Sequence, residues 1–283
     1  MTNKKLICFD LDGTLLTKSK QISATNLKLL ESLHEAGHVT AIATGRFYKS
    51  ACKVRSRIPA HLDIICSNGA VVETEGRIIR REQIPPHELE LVYHLANEHD
   101  VSLAFDSLYT AYHTKLGWTF LMDYFSNVMN HGDLTIRNIH VRSLEEYMRY
   151  TPWYINGIAI SRTNPQKIVD LRKDLEDLNL FNIESSAPDN VEVIPKNSHK
   201  GTGALILAER HGIPPEDIIA FGDGENDLKM IQTAGIGFAM DNASQLLKDH
   251  ADYVIGDNDS DTIAHTLKEL LDLDSLELSP EHR

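Results

Sequence analysis

The sequence predicts an α/β fold, with a parallel sheet layered between helices and interrupted by an α+β insertion. Short apolar runs alternate with helix-length amphipathic segments at both ends of the chain, the pattern of parallel strands joined by crossover helices. Between about residues 83 and 195 that alternation gives way to hairpin-like segments mixed with helices. Each apolar run near the chain ends also stops at a polar or glycine-rich cluster. In open parallel sheets, ligands bind at those strand ends.

The elements follow in order. KLICF (5–9) is a strand ending in an acidic turn, and 23–36 is a helix carrying Leu27, Leu30 and Leu33 at helical spacing. Ser23 is its expected N-cap and Gly37 its stop. VTAIAT (39–44) is the next strand, stopping at Gly45 before a helix over about 46–57. IIC (64–66) follows and stops at Ser67-Asn68-Gly69. AVVETEGRIIR (70–80) alternates about Glu75-Gly76 as a hairpin does, and Pro85-Pro86 opens a new helix, which sets a boundary near residue 82.

The insertion reads as helix 87–99, strands 101–106 and 109–113, an aromatic helix 117–129, strand 156–161, helix 165–178, and strands 181–186 and 191–195. Strict alternation then resumes: helix 200–211, strand 218–222, helix 225–233, strand 235–240, helix 243–249, strand 251–255 and helix 260–271. The acidic tail 272–283 is expected to fray. One domain is thus drawn from 1–82 and 196–283, and an inserted one from 83–195.

Composition narrows the function. The 283 residues include 28 Lys and Arg against 41 Asp and Glu, for a net charge of −13, the wrong sign for a nucleic-acid binder. A small phosphorylated ligand stays compatible, because nearby donors and a divalent cation outweigh a distant screened field. Cys8, Cys52 and Cys66 lie in or beside apolar stretches without paired spacing, as expected of reduced thiols in a cytoplasmic protein. The N-terminal MTNKKLICFD lacks the apolar length of a signal peptide, and no apolar run reaches the ~18–20 residues of a membrane span. Fourteen histidines are present, but none forms an H-x-x-x-H pair beside a carboxylate base. The aromatics of 105–125 are read as core of the insertion, and nothing in the sequence singles out its Arg137 or Arg142 as a substrate contact.

Read together, the strand ends carry Asp10, Leu11, Asp12 and Gly13; then Thr44, Gly45 and Arg46; then Ser67, Asn68 and Gly69; then Gly222, Asp223, Gly224, Asn226 and Asp227. Carboxylates suit a hard cation, while hydroxyls and backbone N–H groups suit phosphoryl oxygens. Thr44 and Gly45 serve either as a phosphate cradle or as a plain helix cap. Arg46, a cation at an expected helix N-terminus, calls for an anion nearby.

DLDGT (10–14), TGR (44–46), Lys200 in HKG and GDGENDLKM (222–230) stand in the order of the haloacid dehalogenase superfamily's motifs. The chain resembles that superfamily's Cof-like sugar-phosphatase branch, which has a large type 2 cap. The resemblance covers about 1–82 and 196–272. It implies a Rossmann-like three-layer parallel-sheet core with an inserted α+β cap that selects the substrate. It further implies a nucleophile at Asp10 and a general acid and base at Asp12. Mg²⁺ would be held by Asp10, Asp12 through its backbone carbonyl, and Asp223. Phosphate contacts fall on Leu11, Thr44, Gly45, Lys200 and Asn226, with Asp227 and Arg46 in support. His199 departs from the small residue usual beside that lysine and is read as structural.

The implied function is hydrolysis of a small phosphorylated metabolite through an aspartyl-phosphate. A phosphosugar mutase on the same core is the nearest alternative. A non-catalytic phosphate-binding module is disfavoured because no motif is missing. Oligomeric state is not readable from the sequence.

Overall fold

The computed structural model describes residues 4–114, 137–161, 164–185 and 189–273. The chain divides into two compact units. One is built from Met1–Gly45, Ala51–Ile79 and His199–Arg283, the other from Arg46–Ser50 and Arg80–Ser198. Strands β1 (Leu6–Asp10), β2 (Val39–Ala43), β3 (Asp63–Cys66), β4 (Val71–Thr74) and β5 (Arg77–Arg81) come first. Strands β6 (Ser102–Asp106), β7 (Thr110–His113), β8 (Arg137–His140), β9 (Asn156–Ile160), β10 (Phe181–Glu184) and β11 (Asn190–Pro195) follow, then β12 (Ile218–Gly222), β13 (Ile236–Met240) and β14 (Tyr253–Ile255).

The first sheet runs β14-β13-β12-β1-β2-β3-β4-β5. It is parallel from β14 to β3 and antiparallel at β3–β4. Leu6, Cys8, Ala41 and Ile65 point to one face, where they meet Ala204, Leu207 and Met230 of helices Lys200–His211 and Leu228–Thr233. The alternate residues Ile7, Phe9, Ile42 and Ile64 are fully buried on the other face, toward helices Ala24–Glu35 and Thr262–Leu270, which pack on each other. Burial on both faces is why these strands read as continuous apolar runs.

Phe9, Phe221, Phe238 and Tyr253 stack across β1, β12, β13 and β14 at centroid spacings of 5.4, 4.8 and 5.4 Å. Such a cross-strand ladder helps fix the register. The result is the Rossmann-like three-layer α/β core the sequence predicts.

The second sheet runs β10-β11-β9-β6-β7-β8 and is antiparallel except for β7–β8. Leu103, Phe105, Ala159, Val191 and Val193 project to one face and form its core with residues of helices Pro86–Glu98, Leu144–Tyr150 and Gln166–Leu178. Phe105 stacks on Tyr154 at 4.9 Å. A Cβ on Gly157 would lie 2.4 Å from the Phe105 ring, so that strand position is closed to any larger residue. Phe105 and Tyr112 are core, whereas Tyr109 is exposed. The aromatic helix expected over 117–129 lies outside the described residues, as does the tail after residue 273.

Several expected elements change. Strand β8 and helix Leu144–Tyr150 have no counterpart in the sequence reading. The helix has a local cause: Ser143 Oγ accepts the Glu146 N–H at 3.2 Å while Glu146 Oε2 accepts the Arg142 N–H at 2.9 Å, a reciprocal arrangement close to a capping box. The helix expected at 225–233 is a 3₁₀ turn, Glu225–Asp227, followed by Leu228–Thr233. The helix after β2 opens at Tyr48 rather than near Arg46, so Arg46 is not at its first turn.

In helix Ala24–Glu35, Leu29, Leu30 and Leu33 are buried, and Leu27 is only half-buried. Ser23 caps it, accepting the Asn26 N–H at 3.1 Å. Glu75 and Gly76 turn the hairpin with φ of 51° and 76°, both left-handed as a type I′ turn requires. The three cysteines are free, and burial pushes the Cys8 thiol up to about 12. Among the described residues, no helix is long and apolar enough to cross a membrane.

Candidate active site

At the carboxyl end of β1, Asp10 is only 5% exposed. The chain then turns sharply, with Leu15 and Leu16 N–H groups donating back to the Asp10 and Leu11 carbonyls at 3.1 and 2.8 Å. Gly13 sits in this turn at φ 93°, and a Cβ there would fall 2.2 Å from Asp223 Oδ2. Only glycine lets the β1 turn approach the β12 carboxylate this closely. Thr14 Oγ1 donates to Asp223 Oδ1 at 3.0 Å.

The second half of the site follows β12. Asp227 turns back on its own loop, its Oδ2 accepting the N–H groups of Asp223 and Gly224 at 3.0 and 2.9 Å. This tie is the reason the segment begins as a 3₁₀ turn. The other oxygen of Asp227 accepts from Lys200 Nζ at 2.6 Å, and the same ammonium donates to Asp10 Oδ1 at 2.7 Å. Lys200 is fully buried. One cation thus bridges carboxylates from two strand ends that are more than 200 residues apart in the chain.

Lys200 is placed by its helix. His199 is the N-cap, its Nδ1 accepting the Thr202 N–H at 3.0 Å, so the histidine acts as a cap in place of a small polar residue. Gly69 lies beneath it at φ 84°, where a Cβ would be 2.1 Å from the His199 carbonyl oxygen. Ser67 and Asn68 precede Gly69 with φ of 49° and 51°. Three consecutive left-handed residues are costly. They bring Asn68 Oδ1 within 3.1 Å of the Asn226 amide, which donates to it in a buried contact. Thr44 is buried, its N–H donating to the Ile65 carbonyl at 2.9 Å and its carbonyl accepting the Asn68 N–H at 3.1 Å.

Asp12 lies outside this buried group. Its Oδ1 pairs with Lys20 Nζ at 2.8 Å, and both side chains are 37% exposed. Leu11 is fully buried. Gly45 ends the first unit's segment after β2, and Arg46 falls in the second unit.

The electrostatics are those of a site short of positive charge. Asp10, Asp223 and Asp227 each offer a carboxylate oxygen within 4.8 Å of the others. With Lys200 the formal sum is −3 + 1 = −2. Burial and then the Asp227 charge hold the Asp10 carboxyl well above its ordinary range, with Lys200 pulling the other way. Burial and Asp227 push Asp223 up to about 6, while Thr14 and Lys200 oppose the rise. Burial works against the Lys200 charge, but Asp10 and Asp227 outweigh it and raise the lysine. An all-oxygen donor set with surplus negative charge suits a hard divalent cation.

Asp10, Lys200, Asp223 and Asp227, all picked out in the sequence, therefore come together, whereas the Asn226 amide donates to Asn68. Thr14, Lys20 and Asn68 had no assigned role. Thr14 is within the DLDGT motif, where its hydroxyl was the available signal. Nothing local marks Lys20.

A family model described as haloacid dehalogenase-like hydrolase matches residues 7–267. The chain is 29% identical over 285 residues to the 5-amino-6-(5-phospho-D-ribitylamino)uracil phosphatase YitU of Bacillus subtilis, covering 96% of this chain and 99% of that one. It is 27% identical to the pyridoxal phosphate phosphatase YbhA of Escherichia coli, over 92% of this chain and 96% of the relative. A solved haloacid dehalogenase-like hydrolase from B. subtilis matches with a TM-score of 0.85 at 27% identity, over 94% of this chain and 100% of that structure.

Proposed function

The chain belongs to the haloacid dehalogenase-like hydrolases, in their Cof-like phosphatase branch, and we propose that it hydrolyses a small phosphoric monoester through a phosphoryl group carried on Asp10. The observation supporting this reading is the buried Asp10 carboxylate, held at 2.7 Å by Lys200 beside Asp223 and Asp227. In this reading 1–82 and 196–283 are the hydrolase core and 83–195 the cap that selects substrates.

Mg²⁺, held by Asp10, Asp223 and the Asp12 backbone carbonyl, would offset the charge of the phosphoryl group and its surrounding carboxylates. Asp10 attacks phosphorus, forming an O–P bond as the bond to the leaving oxygen breaks. Asp12 donates the proton that the leaving alkoxide takes up. A water then attacks the phosphoryl group of Asp10, giving its proton to Asp12 and restoring the Asp10 carboxylate. Asp12 is paired with Lys20 at 2.8 Å. For the first step Asp12 must leave Lys20 and carry a proton. Lys200 fixes the orientation of Asp10, and Asp227 fixes Lys200. Thr44, Gly45, the Leu11 backbone and Asn226 supply donors to phosphoryl oxygens, and Arg46 acts in support.

The organic parts of the relatives' substrates define the first panel to assay. Purified wild type should release phosphate from p-nitrophenyl phosphate with Mg²⁺ and lose that activity with EDTA. Asp10→Asn should abolish release with the fold intact by circular dichroism. Retention of about a tenth or more of the activity would exclude Asp10 as nucleophile, since removing a covalent nucleophile costs far more.

A further inference from the structure

The turn leaving β3 puts side chains on a backbone that glycine would adopt more easily. Ser67 and Asn68 are both fully buried and both left-handed, at φ of 49° and 51°. Glycine takes such a backbone at no steric cost, and buried outliers of this kind gather where function demands them. What Asn68 adds beyond a glycine is a carboxamide. Its backbone N–H donates to the Thr44 carbonyl at 3.1 Å, tying the turn to the end of β2, and its Oδ1 accepts from the Asn226 amide at 3.1 Å.

Strands β3 and β12 stand three places apart in the first sheet, with β2 and β1 between them. Adjacent strands lie about 4.8 Å apart, so the two asparagines reach each other across the carboxyl ends of the strands that lead to Thr44 and Asp10. Asn226 is itself only 9% exposed, in the 3₁₀ turn Glu225–Asp227. Its Oδ1 faces Gly224, where a Cβ would lie 2.7 Å away. Among the described residues, the second hydrogen of its amide has no protein acceptor. A carboxamide can turn over about its last bond and present oxygen in place of N–H, and an oxygen there would repel a phosphoryl oxygen. Asn68 Oδ1 can only accept, so it selects the orientation of Asn226 that leaves one N–H to give.

We propose that Asn68 is a positioning residue that holds the Asn226 carboxamide in its donating orientation, so that the second N–H of Asn226 meets the phosphoryl group. The inference rests on the reading of Asn226 as a phosphoryl contact given above. Asn68 itself touches no reacting atom, and its whole effect passes through Asn226.

The test measures binding of inorganic phosphate and of tungstate to the full chain with Mg²⁺ by titration calorimetry, in wild type, Asn68→Gly, Asn226→Ala and the double variant. Asn68→Gly suits the left-handed backbone and removes only the side chain. It should weaken both anions about tenfold, as loss of a hydrogen bond to a charged group does. The double variant should bind within about twofold of Asn226→Ala, the non-additivity of two residues that act through one contact. A purely structural role predicts instead that Asn68→Gly costs as much affinity in the Asn226→Ala background as in wild type. That additive result, an unchanged affinity in Asn68→Gly or in Asn226→Ala, or no binding of either anion by wild type overturns the proposal. Should Asn68→Gly fail to fold, the carboxamide protons of Asn226 in wild type decide, identified by their loss from the NMR spectrum of Asn226→Ala. Unequal exchange with solvent and a shift of the faster proton on adding phosphate support the proposal, whereas two protons that exchange alike, or no shift, overturn it. The phosphatase reading is judged apart, by phosphate release from p-nitrophenyl phosphate, and its failure beside a non-additive cycle would still support the assignment of Asn68.

Discussion

At the carboxyl ends of β1 and β12 the buried carboxylates of Asp10 and Asp227 share one ammonium, and Asp227 also accepts two backbone N–H groups. On the open face of the second sheet, Asp106 lies within the field of buried Glu192, beside an amide oxygen that has no donor. The first arrangement fixes its charges before any ligand arrives, and preorganised charge is what lowers a reaction barrier. The second leaves a buried amide oxygen without a donor, which costs stability. Stability therefore responds in opposite directions when a polar group is removed from each.

The sharpest break of that contrast is Lys200→Met. Removing the ammonium leaves Asp10 and Asp227 buried without their shared cation, which should cost about 3–5 kcal/mol of folding stability. It should also lower kcat on the order of 10²–10³-fold. Denaturant midpoints and phosphatase assays check both.

Gly69→Ala should have a smaller effect of the same sign. The left-handed backbone alone costs about 1–2 kcal/mol for a residue with a Cβ, and the 2.1 Å approach to the His199 carbonyl would displace the helix start that carries Lys200. A lowered melting temperature together with a lowered kcat is expected. A stability loss with full activity would separate Gly69 from the site.

Asp106→Asn gives the smallest effect and the opposite sign. The folded-state value of Asp106 is raised to about 7, against roughly 4 in an unfolded chain. Its stabilising contribution is therefore complete below about pH 4 and lost as pH rises through about 7. The melting-temperature gap between Asp106→Asn and wild type should widen in favour of the variant between those values and then level off. A gap that does not vary with pH would mean Asp106 is not held protonated by its surroundings.

How far the sequence could be read follows the same division. The first sheet is legible because strands buried on both faces produce apolar runs, and because chemistry gathers where those runs stop. Asp10, Asp223 and Asp227 stand at such ends. Lys200 has no local signature, since a lone lysine before a helix reads as a solvated charge, and only motif order singles it out.

What was missed depends on tertiary approach. The close packing of Gly69 on His199, the Asn68–Asn226 bond and the Lys20–Asp12 pair join residues whose spacing along the chain carries no period. Helix Leu144–Tyr150 was missed although Ser143 and Glu146 spell its start, because a seven-residue helix is too short to show hydrophobic periodicity. Asp106 reads in sequence as the polar end of a strand. Its meaning arises only from the register that sets it against Asn156.

The central claim is that Asp10 carries the phosphoryl group between the two displacements. Acid-quenched turnover of p-nitrophenyl phosphate with Mg²⁺, followed by peptide mass spectrometry, tests it most directly. A phosphoryl adduct on the peptide containing Asp10 is expected in wild type and none in Asp10→Asn. An adduct on any other side chain, or undiminished phosphate release by Asp10→Asn, would contradict the account.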